Sequence, residues 1–310
     1  MSEQIARVNG VDIAYETFGD PANPPLLMVM GLGAQMILWR EELCELLAER
    51  GFFAIRFDNR DVGRSSKTPG RPPRVWPGLL GRRVRAAYTL DDLADDAVGL
   101  LDELGIGAAH VVGASMGGMI AQTIAIRHPD RVLSLTSIMS TTGDRKVGRA
   151  RRRMLPLLLS RPRPGRARNV ARAVRVFRAI GSPGFPFDEA GVREVAGRSY
   201  DRCFHPAGAA HQLAAILASG DRTQALGSIE APTLVIHGTD DPLVNVSGAR
   251  AAAGAIPDAE LMLIDGMGHD LPRPVWPRIV DGIQANSERA GDPRLRPRSP
   301  VVEAGRRAAG

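Results

Sequence analysis

The sequence is poor in cysteine and lacks a long uninterrupted hydrophobic run. Cys44 and Cys203 are the only cysteines in a chain of 310 residues, so we expect no disulfide framework and a reducing compartment. The first residues include no apolar stretch of signal-peptide length. The most apolar window, residues 25–39, is interrupted by glycines and is too short to cross a bilayer. We therefore expect a cytoplasmic protein.

Acidic residues are absent from residues 145–187, in a chain whose formal net charge is +6. The bases of this stretch are Arg145, Lys146, Arg149, Arg151, Arg152, Arg153, Arg161, Arg163, Arg166, Arg168, Arg172, Arg175 and Arg178. Like charges repel one another unless something neutralises them. Two explanations stay open: a solvated helical face, or a surface for an anionic membrane or an anionic substrate group. Nucleic acid is a weaker partner, because Phe177 is the only aromatic residue among these bases.

The length and the 44% of hydrophobic residues allow one large domain with a smaller insert. Short β-branched runs alternate with helical patterns, which predicts a mostly parallel sheet with helices on both faces. The predicted strands are residues 5–8, 11–17, 26–30, 53–57, 109–112, 132–138, 233–237 and 260–264. The predicted helices of this α/β core are residues 38–49, 90–104, 117–127 and 275–285.

The alternation stops between the sixth and seventh predicted strands, where the pattern becomes helical with proline and glycine breaks. We therefore predict an α/β core over residues 1–142 and 226–290, with an inserted helical cap over residues 143–225. Residues 291–310 are rich in arginine and proline and low in large apolar residues, which predicts a disordered tail.

The strongest chemical signal is a G-x-S-x-G sequence, residues 113–117, between a predicted strand and a predicted helix. A serine becomes an effective nucleophile when a sharp turn exposes it and a base accepts its proton. Gly113 and Gly117 supply the space that such a turn needs. Ser115 is therefore the predicted nucleophile, and the alternative is that it is only a helix N-cap.

The base and its acid should follow the serine in the order acid, then histidine. His269 lies in a glycine-rich loop after the last predicted strand, whereas His237 precedes the acid candidates and the other four histidines precede the last two strands or lie in the cap. For the acid we favour Asp241, just beyond the seventh strand. Asp240 and Asp144 remain alternatives.

The negatively charged oxygen of a tetrahedral intermediate needs two backbone N–H donors. The residue after the nucleophile, Met116, should supply one of them, and Leu32 in the glycine-containing loop after the third strand should supply the other. The alternative is that these glycines only serve a tight turn.

The charged loop of residues 57–65 is interpreted as structural, with an expected ion pair between Asp58 and Arg60.

Together these motifs resemble the α/β-hydrolase superfamily over residues 5–285. The matched stretches are residues 30–33, 58–65, 113–117, 238–242 and 266–269. Within the superfamily the chain looks most like bacterial carboxylesterases that include the aclacinomycin methylesterases, partly through residues 184–188. One departure is Met30 before Gly31, where many relatives have histidine, so the oxyanion loop lacks that polar side chain.

The resemblance implies a Ser115, Asp241 and His269 triad with Leu32 and Met116 as oxyanion donors. We expect a serine esterase that needs neither metal nor organic cofactor and acts on a small-molecule ester, with an apolar acyl group. The same triad serves thioesterases, carbon–carbon bond hydrolases and proline iminopeptidases. A noncatalytic ligand-binding protein on the same scaffold is the alternative outside enzymes. Peripheral attachment to an anionic membrane through the basic cap is compatible with esterase activity.

Overall fold

An eight-stranded sheet forms the centre of the protein in a computed structural model that describes residues 3–75, 82, 84–154 and 162–291. The strands, in chain order β1 to β8, are Gln4–Val8, Val11–Phe18, Pro25–Val29, Phe53–Phe57, Ala109–Ala114, Val132–Ile138, Thr233–Gly238 and Glu260–Ile264. Their order across the sheet is β1-β2-β4-β3-β5-β6-β7-β8. Only the pairs β1–β2 and β2–β4 are antiparallel, and every other pair is parallel.

Both faces of the sheet are buried, so its central strands are apolar on both sides. In β3, Leu27 and Val29 face one hydrophobic core while Leu26 and Met28 face the other. This alternation follows from the two-residue period of a strand. β5 lies between β3 and β6 near the middle of the sheet, so the residues at its carboxyl end reach a buried and well-supported position.

Helices cover the two faces. Those of the described chain, in order α1 to α8, are Glu41–Glu49, Leu90–Glu103, Met116–Arg127, Arg166–Ile180, Glu189–Arg202, Pro206–Ser219, Ser247–Ala255 and Trp276–Glu288. Helices α2, α3 and α7 contribute to the core that contains Leu27 and Val29, and α1 and α8 contribute to the core that contains Leu26 and Met28. A capping box, in which Thr89 and Asp92 bond reciprocally, begins α2.

Two helix predictions for the core need correction. The first helix begins at Glu41 rather than at residue 38, because Met36–Leu38 forms a separate 3-10 turn and Trp39 is extended. Helix α7, Ser247–Ala255, was not predicted. Its sequence is almost entirely alanine and glycine, so it lacks the large apolar residues at helical spacing by which the other core helices were predicted.

Between β6 and β7 the described chain contains α4, α5 and α6 together with short 3-10 turns. We refer to residues 143–225 as the insert. Acidic groups of α5 offset part of the basic charge of α4, because Arg166 pairs with Asp201 at 2.9 Å and Arg178 pairs with Glu189. Apart from Gly291, the predicted tail lies outside the described residues. No helix in the described part of the chain is long and apolar enough to span a membrane.

Candidate active site

Ser115 lies at the turn between β5 and α3, in a backbone conformation that a side-chain-bearing residue rarely adopts. Its φ is 57° and its ψ is −117°, and such conformations cost of order 1–3 kcal/mol each. The turn also brings backbones too close for other side chains. A Cβ on Gly113 would lie 2.0 Å from the carbonyl oxygen of Gly117, and a Cβ on Gly117 would lie 2.0 Å from that of Val29. Both glycines are therefore required by the geometry of the turn.

Surrounding hydrogen bonds hold the turn in place. The Ser115 N–H donates to the carbonyl of Ile138 at 2.9 Å, which ties the turn to the end of β6. The carbonyl of Ser115 accepts from the N–H groups of Gly118 and Met119 and from the hydroxyl of Ser140. The side chain of Ser115 is therefore presented by a backbone that has little freedom to move.

The histidine loop, residues 266–270, follows β8 and carries His269 over this serine. The Nε2 of His269 lies 3.0 Å from the Oγ of Ser115. Its Nδ1 lies 2.6 Å from the Oδ2 of Asp241. A carboxylate can only accept, so this contact requires a proton on Nδ1 and leaves Nε2 free to accept the hydroxyl proton of Ser115. His269 is only 8% exposed.

Of the three acid candidates, the structure brings only Asp241 against His269. Asp241 is 1% exposed, and its other oxygen accepts the N–H groups of Leu243 and Val244 at 2.8 Å each. The carboxylate of Asp240 instead faces the hydroxyl of Thr239, and that of Asp144 accepts the backbone N–H of Lys146. A one-residue difference in the loop therefore decides which carboxylate reaches the imidazole.

The environment of Asp241 favours its charged form. Burial by itself raises the pKa of this carboxyl, but electrostatic attraction to His269 and hydrogen bonds from His237, His269 and the Val244 N–H together outweigh that rise. The net result lowers the pKa of Asp241 to about 2. His237 was not predicted from the sequence to contact Asp241, but its Nε2 lies 3.4 Å from Asp241 and 2.8 Å from the Val244 carbonyl.

The two residues predicted as oxyanion donors lie on either side of the serine. Met116 is the first residue of α3, where backbone N–H groups point out of the helix. Leu32 is in a turn after β3, next to Gly31, whose Cβ would lie 3.2 Å from the Cβ of Ser115. Both residues therefore lie next to the nucleophile, and the role of their N–H groups as oxyanion donors stays a prediction.

The expected ion pair between Asp58 and Arg60 is wrong. Arg60 donates to both oxygens of Asp96 at 2.6 Å. Asp58 accepts the Met36 N–H at 2.7 Å and pairs with Arg202 of the insert at 2.9 Å. The two side chains are only two positions apart but serve different neighbours, which sequence spacing cannot show.

Two residues of the insert contact the site and were not singled out from the sequence. The side-chain oxygen of Gln212 in α6 accepts the Gly33 N–H of the oxyanion loop at 2.7 Å. Ser182, between α4 and α5, contacts the histidine loop through Gly268 and Asp270. Neither residue belongs to a recognisable motif. Among the described residues, no group of three or more histidine, cysteine or acidic side chains could hold a metal ion.

A family model described as the α/β hydrolase fold matches residues 24–272 of this chain. The chain belongs to the α/β-hydrolase family. Its curated relatives include the rhodomycin D methylesterases DauP of Streptomyces sp. and DnrP of Streptomyces peucetius. The first is 32% identical, and the alignment covers 94% of this chain and 99% of the relative. The second is 31% identical, with 90% and 96% covered.

A solved structure agrees with the fold. An esterase from Rhodococcus sp. superposes with a TM-score of 0.70 at 22% identity, covering 94% of this chain and all of the other. The predicted fold and the resemblance to bacterial esterases are confirmed. The expected enzyme class, a carboxylic ester hydrolase, agrees with the names of the two methylesterases.

Proposed function

We propose that this carboxylic ester hydrolase of the α/β-hydrolase family cleaves its substrate through an acyl-enzyme formed on Ser115. The observation that carries the proposal is the continuous hydrogen-bonded series from the Ser115 Oγ through both nitrogens of His269 to Asp241, with distances of 3.0 and 2.6 Å. A serine, a base and an orienting acid in this arrangement perform acyl transfer on several unrelated folds.

In the acylation step, the Ser115 Oγ attacks the ester carbonyl carbon while its proton passes to the Nε2 of His269. The resulting imidazolium is stabilised by Asp241, whose low pKa keeps it charged. The carbonyl oxygen becomes negative and accepts hydrogen bonds from the Leu32 and Met116 N–H groups. The tetrahedral intermediate then collapses, and the alcohol leaves with the proton from Nε2.

In the deacylation step, His269 acts again as a base. Its Nε2 takes a proton from water, the hydroxide oxygen attacks the acyl carbonyl carbon, and the same two N–H groups bind the oxygen of the second intermediate. Collapse breaks the bond to the Ser115 Oγ, which recovers its proton from Nε2. The products are a carboxylic acid and the free enzyme.

The two methylesterase relatives favour a methyl ester of a larger acid as the substrate. The insert, acting as a cap, would then contact the acid portion while methanol leaves. We propose a predominantly apolar lining for the acid portion. Thioester, carbon–carbon bond and N-terminal proline substrates belong in the same assay panel, because the triad alone does not separate them.

The proposal is tested by labelling the purified protein with a fluorophosphonate probe and by measuring turnover of p-nitrophenyl esters of increasing chain length. We expect labelling and turnover in the wild type, and loss of both in Ser115→Ala and His269→Ala. A folded wild type that neither labels nor turns over any ester contradicts the proposal and favours a noncatalytic binding protein. A series of alkyl esters of one acid then tests the preference for methyl.

The basic part of the insert supports a second proposal, peripheral attachment to an anionic membrane surface. Arg151, Arg152 and Arg153 are all exposed, and no ion pair joins them to an acid among the described residues. Arginine near an anionic surface contributes about 1 kcal/mol per residue. We expect binding to phosphatidylserine vesicles that weakens with salt. Unchanged binding after charge reversal of Arg149 and residues 151–153 would remove this proposal.

A further inference from the structure

We propose that Ser182 of the insert is a positioning residue that holds the histidine loop, and with it His269, in the reactive geometry. The inference rests on the proposed function, because it concerns the alignment of His269 with Ser115. It assigns to the insert a part in the chemical step in addition to contact with substrate.

The segment of residues 180–184 runs along the histidine loop and bonds to it repeatedly. The backbone N–H of His269 itself donates to the carbonyl of Ile180 at 2.7 Å. The N–H of Gly184 donates to the carbonyl of Gly266 at 2.9 Å. A chain segment 86 positions away in sequence therefore supports the loop that carries the base.

Ser182 supplies the side-chain part of this contact. Its Oγ accepts the backbone N–H of Gly268 at 2.9 Å and donates to the Oδ1 of Asp270. The residues on both sides of His269 are thus fixed by one hydroxyl. A hydroxyl has a single proton, so donation to Asp270 turns its lone pairs toward Gly268 and the two bonds reinforce each other.

The backbones of the two segments pack closely at this contact. A Cβ on Gly268 would lie 2.3 Å from the carbonyl oxygen of Gly181, and a Cβ on Gly184 would lie 2.7 Å from the Cα of Gly266. Burial raises the pKa of Asp270, and the hydrogen bond from Ser182 opposes that rise. Removing the hydroxyl therefore leaves a partly buried carboxylate and a buried N–H each without this partner, which favours a shifted loop.

The test compares Ser182→Ala with Ser199→Ala, a matched control in the same insert. The hydroxyl of Ser199 is buried but has no hydrogen-bond partner in the part of the chain that the structure describes, so its removal should leave kcat within about twofold of wild type. For Ser182→Ala we expect kcat to fall on the order of 10- to 100-fold with little change in KM, because sub-ångström displacement of a base is costly. Ser182→Thr, which keeps the hydroxyl, should recover most of the loss.

A second comparison separates positioning from general loss of structure. If Ser182 acts through His269, then Ser182→Ala should have almost no effect on the residual ester turnover of His269→Ala. An equal fold-loss in both backgrounds would overturn the inference. If Ser182→Ala does not fold, Asp270→Asn is the substitute variant. It keeps the side-chain shape but weakens a charge-assisted bond, and wild-type kcat in that variant would contradict the inference.

The outcomes also distinguish this inference from the proposed function. A wild type that is not labelled at Ser115 contradicts the proposed function. A wild type that is labelled, together with Ser182→Ala labelled at the same rate, contradicts only the role of Ser182.

Discussion

The turn around Ser115 is built by chain neighbours, whereas the histidine loop is held in place by distant segments. Gly113 and Gly117 shape the turn from two positions on either side of the serine. His269, in contrast, depends on Asp241, 28 positions away, and its loop depends on Ser182 in the insert. The nucleophile is therefore largely encoded by a short motif, and the base requires the folded protein.

Asp241→Asn tests the part of the site that distant segments hold in place, which is His269 and its loop. This variant should have the largest effect. The asparagine side chain keeps the shape of aspartate, but in one orientation it presents its NH2 group to Nδ1 instead of an accepting oxygen. It also removes the negative charge that stabilises the imidazolium. We expect kcat to fall about 10⁴-fold with KM little changed, measured with the best p-nitrophenyl ester.

The matched control is Asp240→Asn, one residue earlier, whose carboxylate contacts Thr239 rather than His269. Its kcat should stay within about twofold of wild type. Equal losses in the two variants would show that the loop as a whole, and not the carboxylate of Asp241, supports the base.

Gly117→Ala tests the turn around Ser115, which is built by chain neighbours. The added Cβ would meet backbone on β3 at 2.0 Å, and backbone cannot move aside as a flexible side chain can. We expect a loss of about 3 kcal/mol or more in the free energy of unfolding, measured by urea denaturation.

Gly254→Ala in α7 provides the contrast, because a Cβ there meets no atom of the described residues within 4 Å. Alanine is the better helix former, so this variant should be neutral or up to about 1 kcal/mol more stable. If Gly117→Ala were as stable as Gly254→Ala, the steric account of the turn would be wrong.

The low pKa of Asp241 predicts that the protein loses part of its free energy of unfolding in acid. Its pKa is 3.8 in the reference state and about 2 in the folded protein. A carboxyl whose pKa is depressed on folding stabilises the protein above the unfolded pKa and loses that contribution as pH falls through the folded pKa. About 2 kcal/mol should be lost between pH 5 and pH 1.

Urea denaturation at several pH values measures this loss, and Asp241→Asn is the control. The variant should show a shallower decline than the wild type over the same range. Parallel curves for the two proteins would contradict the electrostatic description of this carboxylate.

The smallest effect is a difference in alkylation between the two cysteines, of which Cys44 lies in the core and Cys203 lies in the insert. Burial raises the pKa of Cys44 to about 12, so little of it is thiolate at neutral pH. Cys203, at the end of α5, is partly exposed. Alkylation of the native protein at pH 8 should modify Cys203 and spare Cys44, as peptide mass spectrometry would show. Rapid modification of Cys44 would contradict the packing of α1 against the sheet.

The features that the sequence predicts are mainly those formed by chain neighbours, and the features that it does not predict depend on distant segments. Strands β4, β6 and β8 have the predicted bounds, because apolar runs between turn residues are local signals. The G-x-S-x-G turn is also local. The partners of Asp58 and Arg60 could not be predicted, because Arg202 and Asp96 approach them only after folding. Ser182 and Gln212 carry no motif, so only the three-dimensional contacts single them out.

The central claim is the acyl-enzyme on Ser115, and trapping it is the most direct test. The enzyme would be mixed with a slowly deacylating p-nitrophenyl ester, quenched with acid within one turnover and digested for peptide mass spectrometry. The account predicts the acyl mass on the peptide that contains Ser115, and no adduct in Ser115→Ala. Ester turnover that persists in Ser115→Ala at the wild-type rate, with no adduct on the wild type, would contradict it.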